Sequence, residues 1–162
     1  MLVANSEVGQ GTTVRFRLPI QSEVHEIAPV LEVEPFPTGL RFLVVDDEQR
    51  VRDMVCAFLL RQGATVETAV NGLDGIEKFH QNEFDLVITD QGMPEMNGDA
   101  MAEAIKEGSP RMPIIMLTGF GEMMNSGGER PAGVDVILGK PVTPAALRQA
   151  VTALRAEYAS QA

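Results

Sequence analysis

Acidic side chains stand at the ends of two short apolar runs of the sequence. Asp46 and Asp47 directly follow residues 42–45, and Asp90 follows the apolar residues 86–88 and Thr89. Three carboxylates held close together repel, and each raises the pKa of the others unless a cation offsets the charge. A hard divalent ion with oxygen ligands offsets it, and Mg²⁺ suits such a site. The pattern predicts a magnesium site if the fold brings these residues together.

Two further apolar runs also lead to polar groups. Thr118 follows residues 114–117, and Lys140 comes shortly after residues 134–138. A cation, an ammonium group and a hydroxyl around one carboxylate form a cradle for a phosphoryl group, whose transfer needs little beyond alignment and charge neutralisation. Asp90 is then the candidate nucleophile, and it would become an acyl phosphate.

Each of these residues also has an ordinary interpretation. Asp46 and Asp47 suit the N-terminus of a helix, where the helix dipole favours acidic groups. Thr118 suits a turn, Lys140 suits an exposed surface, and Asp90 suits a simple loop junction. Only their meeting at one rim of a sheet would favour chemistry over these alternatives.

The elements that must position these residues follow from hydrophobic periodicity. Strands are expected near residues 42–45, 64–69, 85–90, 114–117 and 134–138, alternating with helices. This alternation predicts an α/β fold, a doubly wound parallel sheet of five strands. Right-handed crossovers and the polar second strand favour the strand order 2-1-3-4-5, which puts the ligand site beyond the carboxyl ends of strands 1 and 3.

The helices are expected to face the sheet with one apolar stripe each. The stripes comprise Val51, Met54, Val55, Phe58 and Leu59; Leu73, Ile76 and Phe79; Met101, Ala104 and Ile105; and Leu147, Ala150, Val151, Leu154 and Tyr158. Asn71, Asn97 and Thr143 are expected to cap three helices, and Gly63 to end the first. A further helix between residues 120 and 133 should be short or mobile, because glycines and a proline disfavour it.

The whole constellation resembles the receiver domain of two-component response regulators, over roughly residues 40–158. The resemblance implies a flavodoxin-like receiver fold in which Asp90 accepts a phosphoryl group from phosphohistidine, with Mg²⁺ as cofactor. It also implies metal ligands at Asp46, Asp47, Asp90 and the carbonyl of Gly92, contacts from Thr118 and Lys140 to the phosphoryl oxygens, and a cis Lys140–Pro141 peptide bond. Such a fragment would catalyse its own phosphorylation and dephosphorylation.

Two features depart from the receiver pattern. Receivers usually carry Tyr or Phe three residues before the lysine, whereas this sequence has Ile137 there. The stretch after Thr118 is rich in glycine. Both favour a receiver that relays or gates phosphate over one that builds a stiff dimer interface.

The segment before residue 40 suggests the context of the domain. The alternation at residues 14–19 predicts a hairpin strand, and the run resembles the last hairpin of the ATP-binding domain in sensor histidine kinases. The matching residues are Gly9, Gly11, Thr12, Phe16, Leu18 and Pro19. Residues 1–20 are therefore read as a remnant of that domain, and residues 21–39 as an acidic, proline-containing linker. The parent protein is then expected to be a hybrid sensor histidine kinase.

The composition of the chain limits the kinds of binding partner and cellular compartment to be expected. The formal charge of −10 disfavours binding to nucleic acid, because an acidic surface repels phosphate backbones. Cys56 is the single cysteine, which suits the reducing cytoplasm. No apolar run approaches the ~20 residues of a membrane span, and no signal peptide is expected, so this fragment should make no membrane contact.

Two other functions fit parts of the sequence. An interaction module with the receiver fold that is not phosphorylated would explain Ile137 and the glycine-rich stretch, but not the intact set of polar residues. A hydrolase that uses Asp90 covalently, like the haloacid dehalogenases, would need a second aspartate two residues later, where this sequence has Gly92.

Overall fold

The computed structural model describes residues 2–7, 9, 11–16, 36, 39–119 and 130–160, in two compact units. In the first unit, β1 (Leu2–Glu7) pairs antiparallel with β2 (Gly11–Phe16). Gly9 and Gly11 both have positive φ, a conformation that glycine adopts without steric cost. The relation of this hairpin to a kinase domain stays a prediction. Most of the predicted linker, residues 21–35 and 37–38, lies outside the described residues.

The second unit, Pro35–Ala162, alternates strands and helices. Its strands are β3 (Arg41–Val45), β4 (Thr65–Ala69), β5 (Leu86–Asp90), β6 (Ile114–Thr118) and β7 (Val136–Gly139). Its described helices are α1 (Gln49–Arg61), α2 (Gly72–Gln81), α3 (Gly98–Gly108) and α4 (Pro144–Ser160). The helix expected between residues 120 and 133 falls mainly on residues 120–129, which lie outside the described part.

All strand pairs of this sheet are parallel, in the order β4-β3-β5-β6-β7. This is the order 2-1-3-4-5 counted from the first strand of the unit, so the predicted fold class and topology are confirmed. The polar strand β4 lies at the edge, as expected. The switch point therefore falls between β3 and β5, the two strands that carry the acidic residues.

Alternate side chains of the central strands pack on opposite faces of the sheet. Phe42, Val44, Leu86, Ile88, Ile115 and Leu117 join the residues of α1 and α4 in one buried cluster. Leu43, Val45, Val87, Ile114 and Met116 join residues of α2 and α3 in the other. Because β5 and β6 are buried at every position, their sequences are mainly apolar up to the polar residues Asp90 and Thr118 at their ends.

Helix ends follow the sequence closely. The side-chain oxygens of Asn71 and Asn97 accept hydrogen bonds from backbone amides at 2.8 and 2.9 Å, and Thr143 Oγ1 accepts one at 3.2 Å. Gly63 follows α1 with φ of +81°. The predicted caps and the stop after α1 are thus confirmed.

Three predicted inward positions are wrong. Met54 is 45% exposed and Leu73 is 51% exposed, and Ala104 is exposed while Ala102 is buried. In α2 the sheet-facing position is Gly75, where a Cβ atom would lie 2.7 Å from Met101 Sδ. The helix thus packs too closely for a large residue at that position, and Leu73 turns toward solvent.

Gly98 marks the closest approach between a helix and the end of β5. A Cβ atom at this position would overlap the carbonyl oxygen of Asp90 and lie 3.0 Å from Thr89 Oγ1. The backbone of β5 cannot move aside without breaking its pairing with β3 and β6. Glycine is therefore required where α3 begins.

We expect Gly98→Ala to destabilise the fold by about 1–3 kcal/mol, the usual cost of overpacking a buried site. Gly108→Ala is the matched control on the same helix, because a Cβ atom there meets nothing within 4 Å. Urea unfolding of both variants measures the difference. Equal midpoints for the two variants would contradict the close packing of α3 on β5.

Candidate functional site

The end of β3 carries two aspartates with different surroundings. Asp46 is 1% exposed, and its amide still donates to the carbonyl of Ala69 in the edge strand at 3.2 Å. Its Oδ1 accepts a hydrogen bond from the Glu48 amide at 2.8 Å. Asp47 is exposed. One carboxylate is therefore held inside the sheet rim, and the next one faces solvent.

Asp90 is the last residue of β5 and is 7% exposed. Its Oδ2 accepts a hydrogen bond from the Gly92 amide at 2.9 Å. The following backbone is tied on both sides, because Gln91 N donates to Leu117 O at 2.9 Å and Gly98 N donates to Gln91 O at 3.0 Å. The central strand thus presents its carboxylate on a backbone fixed by β6 and α3.

Lys140 follows β7 and reaches back across the rim. Its amide donates to the Thr118 carbonyl at 2.8 Å, which fixes the start of its side chain beside β6. Its ammonium lies 2.8 Å from Asp46 Oδ2 and 2.6 Å from Asp90 Oδ1. One cation therefore joins the two buried carboxylates of β3 and β5.

Burial and hydrogen bonding shift the pKa values of Asp46 and Lys140 in opposite directions. Burial raises the pKa of Asp46, and the hydrogen bonds from Lys140 and the Glu48 amide offset this only in part. Burial lowers the pKa of Lys140, but its hydrogen bonds to Asp46 and Asp90 outweigh that effect, so its pKa is raised. The Lys140 ammonium therefore stays charged, whereas burial still disfavours the charged form of Asp46.

The three aspartates fit a divalent cation. Each of Asp46, Asp47 and Asp90 offers a carboxylate oxygen, and these oxygens lie within 4.8 Å of one another. The donors are all hard oxygens, which suit Mg²⁺, and the exposure of Asp47 leaves room for the waters that Mg²⁺ retains. A bound cation would also stabilise the charged form of Asp46, which burial disfavours.

Gly92 is exposed, and the structure records its amide as a donor to Asp90. Its predicted role as a carbonyl ligand stays a prediction. The Lys140–Pro141 bond is cis, as the resemblance implied. Ile137 is half-buried and packs against the cluster shared by α2 and α3.

Thr118 ends β6 and is 2% exposed. Its hydroxyl donates to Gln91 Oε1 at 2.7 Å. The sequence pattern assigned no role to Gln91, so its contact with Thr118 was missed. An amide in the position directly after the candidate nucleophile was the available signal.

Arg52 was also missed. Its Nη1 donates to the backbone carbonyl of Asp46 from the first turns of α1, so it holds the end of β3 beside the helix. The position of Arg52 six residues after Asp46 carries no pattern that separates it from the other polar residues of the helix. Only the fold brings its guanidinium to the strand end.

This arrangement of strands and polar residues is similar to that of known proteins. The family model for the response regulator receiver domain matches residues 42–152. The chain is 36% identical over 134 residues to the autoinducer 1 sensor kinase/phosphatase LuxN of Vibrio campbellii, covering 79% of this chain and 15% of LuxN. It is 36% identical over 104 residues to the transcriptional regulatory protein ResD of Bacillus subtilis, covering 64% of this chain and 43% of ResD. The chain therefore spans less than half the length of either relative.

Solved structures of receiver domains have a similar fold. A receiver domain protein from Clostridium thermocellum superimposes with a TM-score of 0.69 at 31% identity, covering 76% of this chain and 99% of that protein. The response regulator TrrA of Thermotoga maritima, solved with Mg²⁺ and beryllium fluoride, gives a TM-score of 0.62 at 30% identity, covering 71% of this chain and 98% of TrrA. None of the helices in the described part of the chain is long and apolar enough to cross a bilayer. With its parallel sheet, its acidic cluster and its bridging lysine, this chain belongs to the response regulator receiver domain family.

Proposed function

We propose that the domain accepts a phosphoryl group from a phosphohistidine onto Asp90, with Mg²⁺ bound at Asp46, Asp47, Asp90 and the Gly92 carbonyl. The observation that carries this proposal is the position of Lys140, whose ammonium contacts Asp46 and Asp90 at once. A cation so placed neutralises a carboxylate nucleophile and then the oxygens of an incoming phosphoryl group.

The chain's own residues supply the rest of the chemistry. An Asp90 oxygen attacks phosphorus, the P–N bond to the imidazole breaks, and the imidazole keeps the electron pair and takes up a proton. Asp90 is preset for attack because Gly92 N and Lys140 Nζ fix one oxygen each. The bound Mg²⁺ would supply charge neutralisation at the phosphoryl oxygens.

The groove beside Lys140 is the proposed docking face for the phosphohistidine-bearing partner. It has a volume of about 430 Å³ and is lined by Glu48, Arg50, Val51, Met54, Lys140, Pro141 and Val142. Lys140 belongs both to this groove and to the site of Asp90, so a partner seated here reaches the nucleophile. The exposure of Met54, unexpected for a helix stripe, provides the apolar contact.

We also propose that the domain belongs to a hybrid sensor histidine kinase in the cytoplasm. The hairpin of β1 and β2 precedes the receiver, and LuxN, a relative, is described as a sensor kinase/phosphatase. The phosphohistidine donor is then on the same polypeptide or on another protein. We propose no nucleic-acid contact for this fragment, although ResD is described as a transcriptional regulatory protein.

Phosphorylation of Asp90 is tested directly with phosphoramidate and Mg²⁺. Intact-mass spectrometry should show one added phosphoryl group, which should not form when EDTA replaces Mg²⁺ and should not form in Asp90→Asn. Asp53→Asn is the control, because Asp53 is an exposed acid on α1. Labelling of Asp90→Asn equal to that of the unsubstituted protein would overturn the proposal and favour an unphosphorylated interaction module.

Asp46→Asn should stabilise the metal-free protein at neutral pH. Because the folded-state pKa of Asp46 is raised above 3.8, its contribution to stability is fully present below pH 3.8 and is lost as the pH rises through the folded pKa. The charged form is thus unfavourable at pH 7, and its removal should raise Tm by about 4 °C, the response to about 1 kcal/mol in a domain of this size.

The gain in Asp46→Asn should shrink toward pH 3.8 and should reverse when Mg²⁺ stabilises the unsubstituted protein but not the variant. Thermal unfolding with EDTA and with Mg²⁺ measures both effects, with Asp53→Asn again as the control. A lower Tm for Asp46→Asn in EDTA at pH 7 would show that Lys140 fully compensates Asp46.

Met54→Asp should slow transfer from a phosphorylated histidine kinase fragment about tenfold, the effect of about 1.4 kcal/mol at an interface. It should leave labelling by phosphoramidate unchanged, because this small donor needs no groove. Leu60→Asp is the matched control, since Leu60 is 57% exposed on the same helix but lies outside the groove. Equal slowing by both variants would exclude the groove as the docking face.

A further inference from the structure

The hydroxyl of Thr118 already has an acceptor before any phosphoryl group arrives. It donates to Gln91 Oε1 at 2.7 Å, and Thr118 is 2% exposed. A threonine hydroxyl carries a single proton to donate. While that proton lies in the bond to Gln91, it is not available to an oxygen on Asp90.

The backbone of Gln91 has no freedom to follow a moving side chain. Gln91 N donates to Leu117 O at 2.9 Å, and Gln91 O accepts from Gly98 N at 3.0 Å. Gly98 in turn packs against the Asp90 carbonyl with no space for a Cβ atom. The amide group of Gln91 is therefore the movable part of this residue, on a backbone held between β6 and α3.

Asp90 and Thr118 are thus engaged with different partners although they end neighbouring strands. Asp90 Oδ2 accepts from Gly92 N and Asp90 Oδ1 lies against Lys140, whereas the Thr118 hydroxyl lies against Gln91. A phosphoryl group on Asp90 would bring new acceptor oxygens between them. Hydrogen bonds to a charged oxygen are roughly twice as strong as those between neutral groups, so the hydroxyl would exchange one acceptor for the other.

We infer that Gln91 is a positioning residue that holds the Thr118 hydroxyl away from Asp90 until a phosphoryl oxygen competes for it. The inference rests on the proposed phosphorylation of Asp90. The bond between Gln91 and Thr118 must break for the hydroxyl to reach the phosphoryl oxygen, so it opposes the phosphorylated arrangement. Its loss also frees the Gln91 amide at the junction of β6 and α3.

The test is the affinity for beryllofluoride at saturating Mg²⁺, measured by NMR titration. Gln91→Met keeps the length of the side chain and removes the acceptor. It should bind beryllofluoride about 3- to 10-fold more tightly, the range expected from removing one competing hydrogen bond of typical net strength. Affinity for Mg²⁺ alone should not change, because Gln91 contacts Thr118 through its side chain and not the carboxylates.

A Thr118→Val background separates this role from a structural one. Thr118→Val removes the hydroxyl and keeps the shape, so Gln91→Met should change beryllofluoride affinity by less than about 2-fold in that background. Gln91→Leu repeats the comparison if Gln91→Met folds poorly, with urea unfolding as the check on each variant.

The outcomes distinguish the inference from the function on which it rests. Unchanged or weaker binding by Gln91→Met, or equal tightening in both backgrounds, would overturn the inference and leave the proposed function standing. Absence of beryllofluoride binding by the unsubstituted protein would overturn both. Tightening that requires the Thr118 hydroxyl supports the inference.

Discussion

One ammonium group contacts two buried carboxylates, and the geometry of the site depends on this contact. Lys140 lies 2.8 Å from Asp46 and 2.6 Å from Asp90, and both aspartates end central strands of the sheet. Buried carboxylates without a cation are costly, so the end of the sheet depends on a residue that lies 94 positions from one of them. The raised pKa of Asp46 indicates that Lys140 offsets this cost only in part. The charged form of Asp46 is therefore disfavoured by burial, and a divalent cation bound at this rim would stabilise it.

Parallel topology is what makes this contact achievable. All strands of the sheet point the same way, so their last residues meet at one rim although long helices separate them in sequence. The switch between β3 and β5 opens the rim for a ligand, while Gly98 lets α3 pack directly on the end of β5. Gly98 thus contributes to the site as well as to the packing, because it holds the backbone that carries Asp90.

Much of this was predictable, because the decisive features are local in sequence. Buried strands give continuous apolar runs, caps are single residues, and the polar group after each run identifies the rim. Met54, Leu73 and Ala104 were assigned wrongly because an apolar residue near the edge of a helix stripe is compatible with burial or exposure. Leu73 is exposed because α2 packs on the sheet through Gly75, and this close packing cannot be inferred from the hydrophobic periodicity.

The contacts of Gln91 and Arg52 were missed for a different reason. Each depends on where a long side chain points after the backbone is fixed, and rotamers are set by tertiary neighbours.

The charges at the rim also explain why such contacts matter. Three carboxylates and one ammonium leave a net negative pocket, and phosphorylation would replace one carboxylate by a group of charge about −1.5 to −2. The existing donors would then have to be redistributed, since Lys140 and Thr118 are already engaged. The affinity of such a site for a phosphoryl group depends on the hydrogen bonds that Thr118 and Lys140 must give up as well as on those that they form.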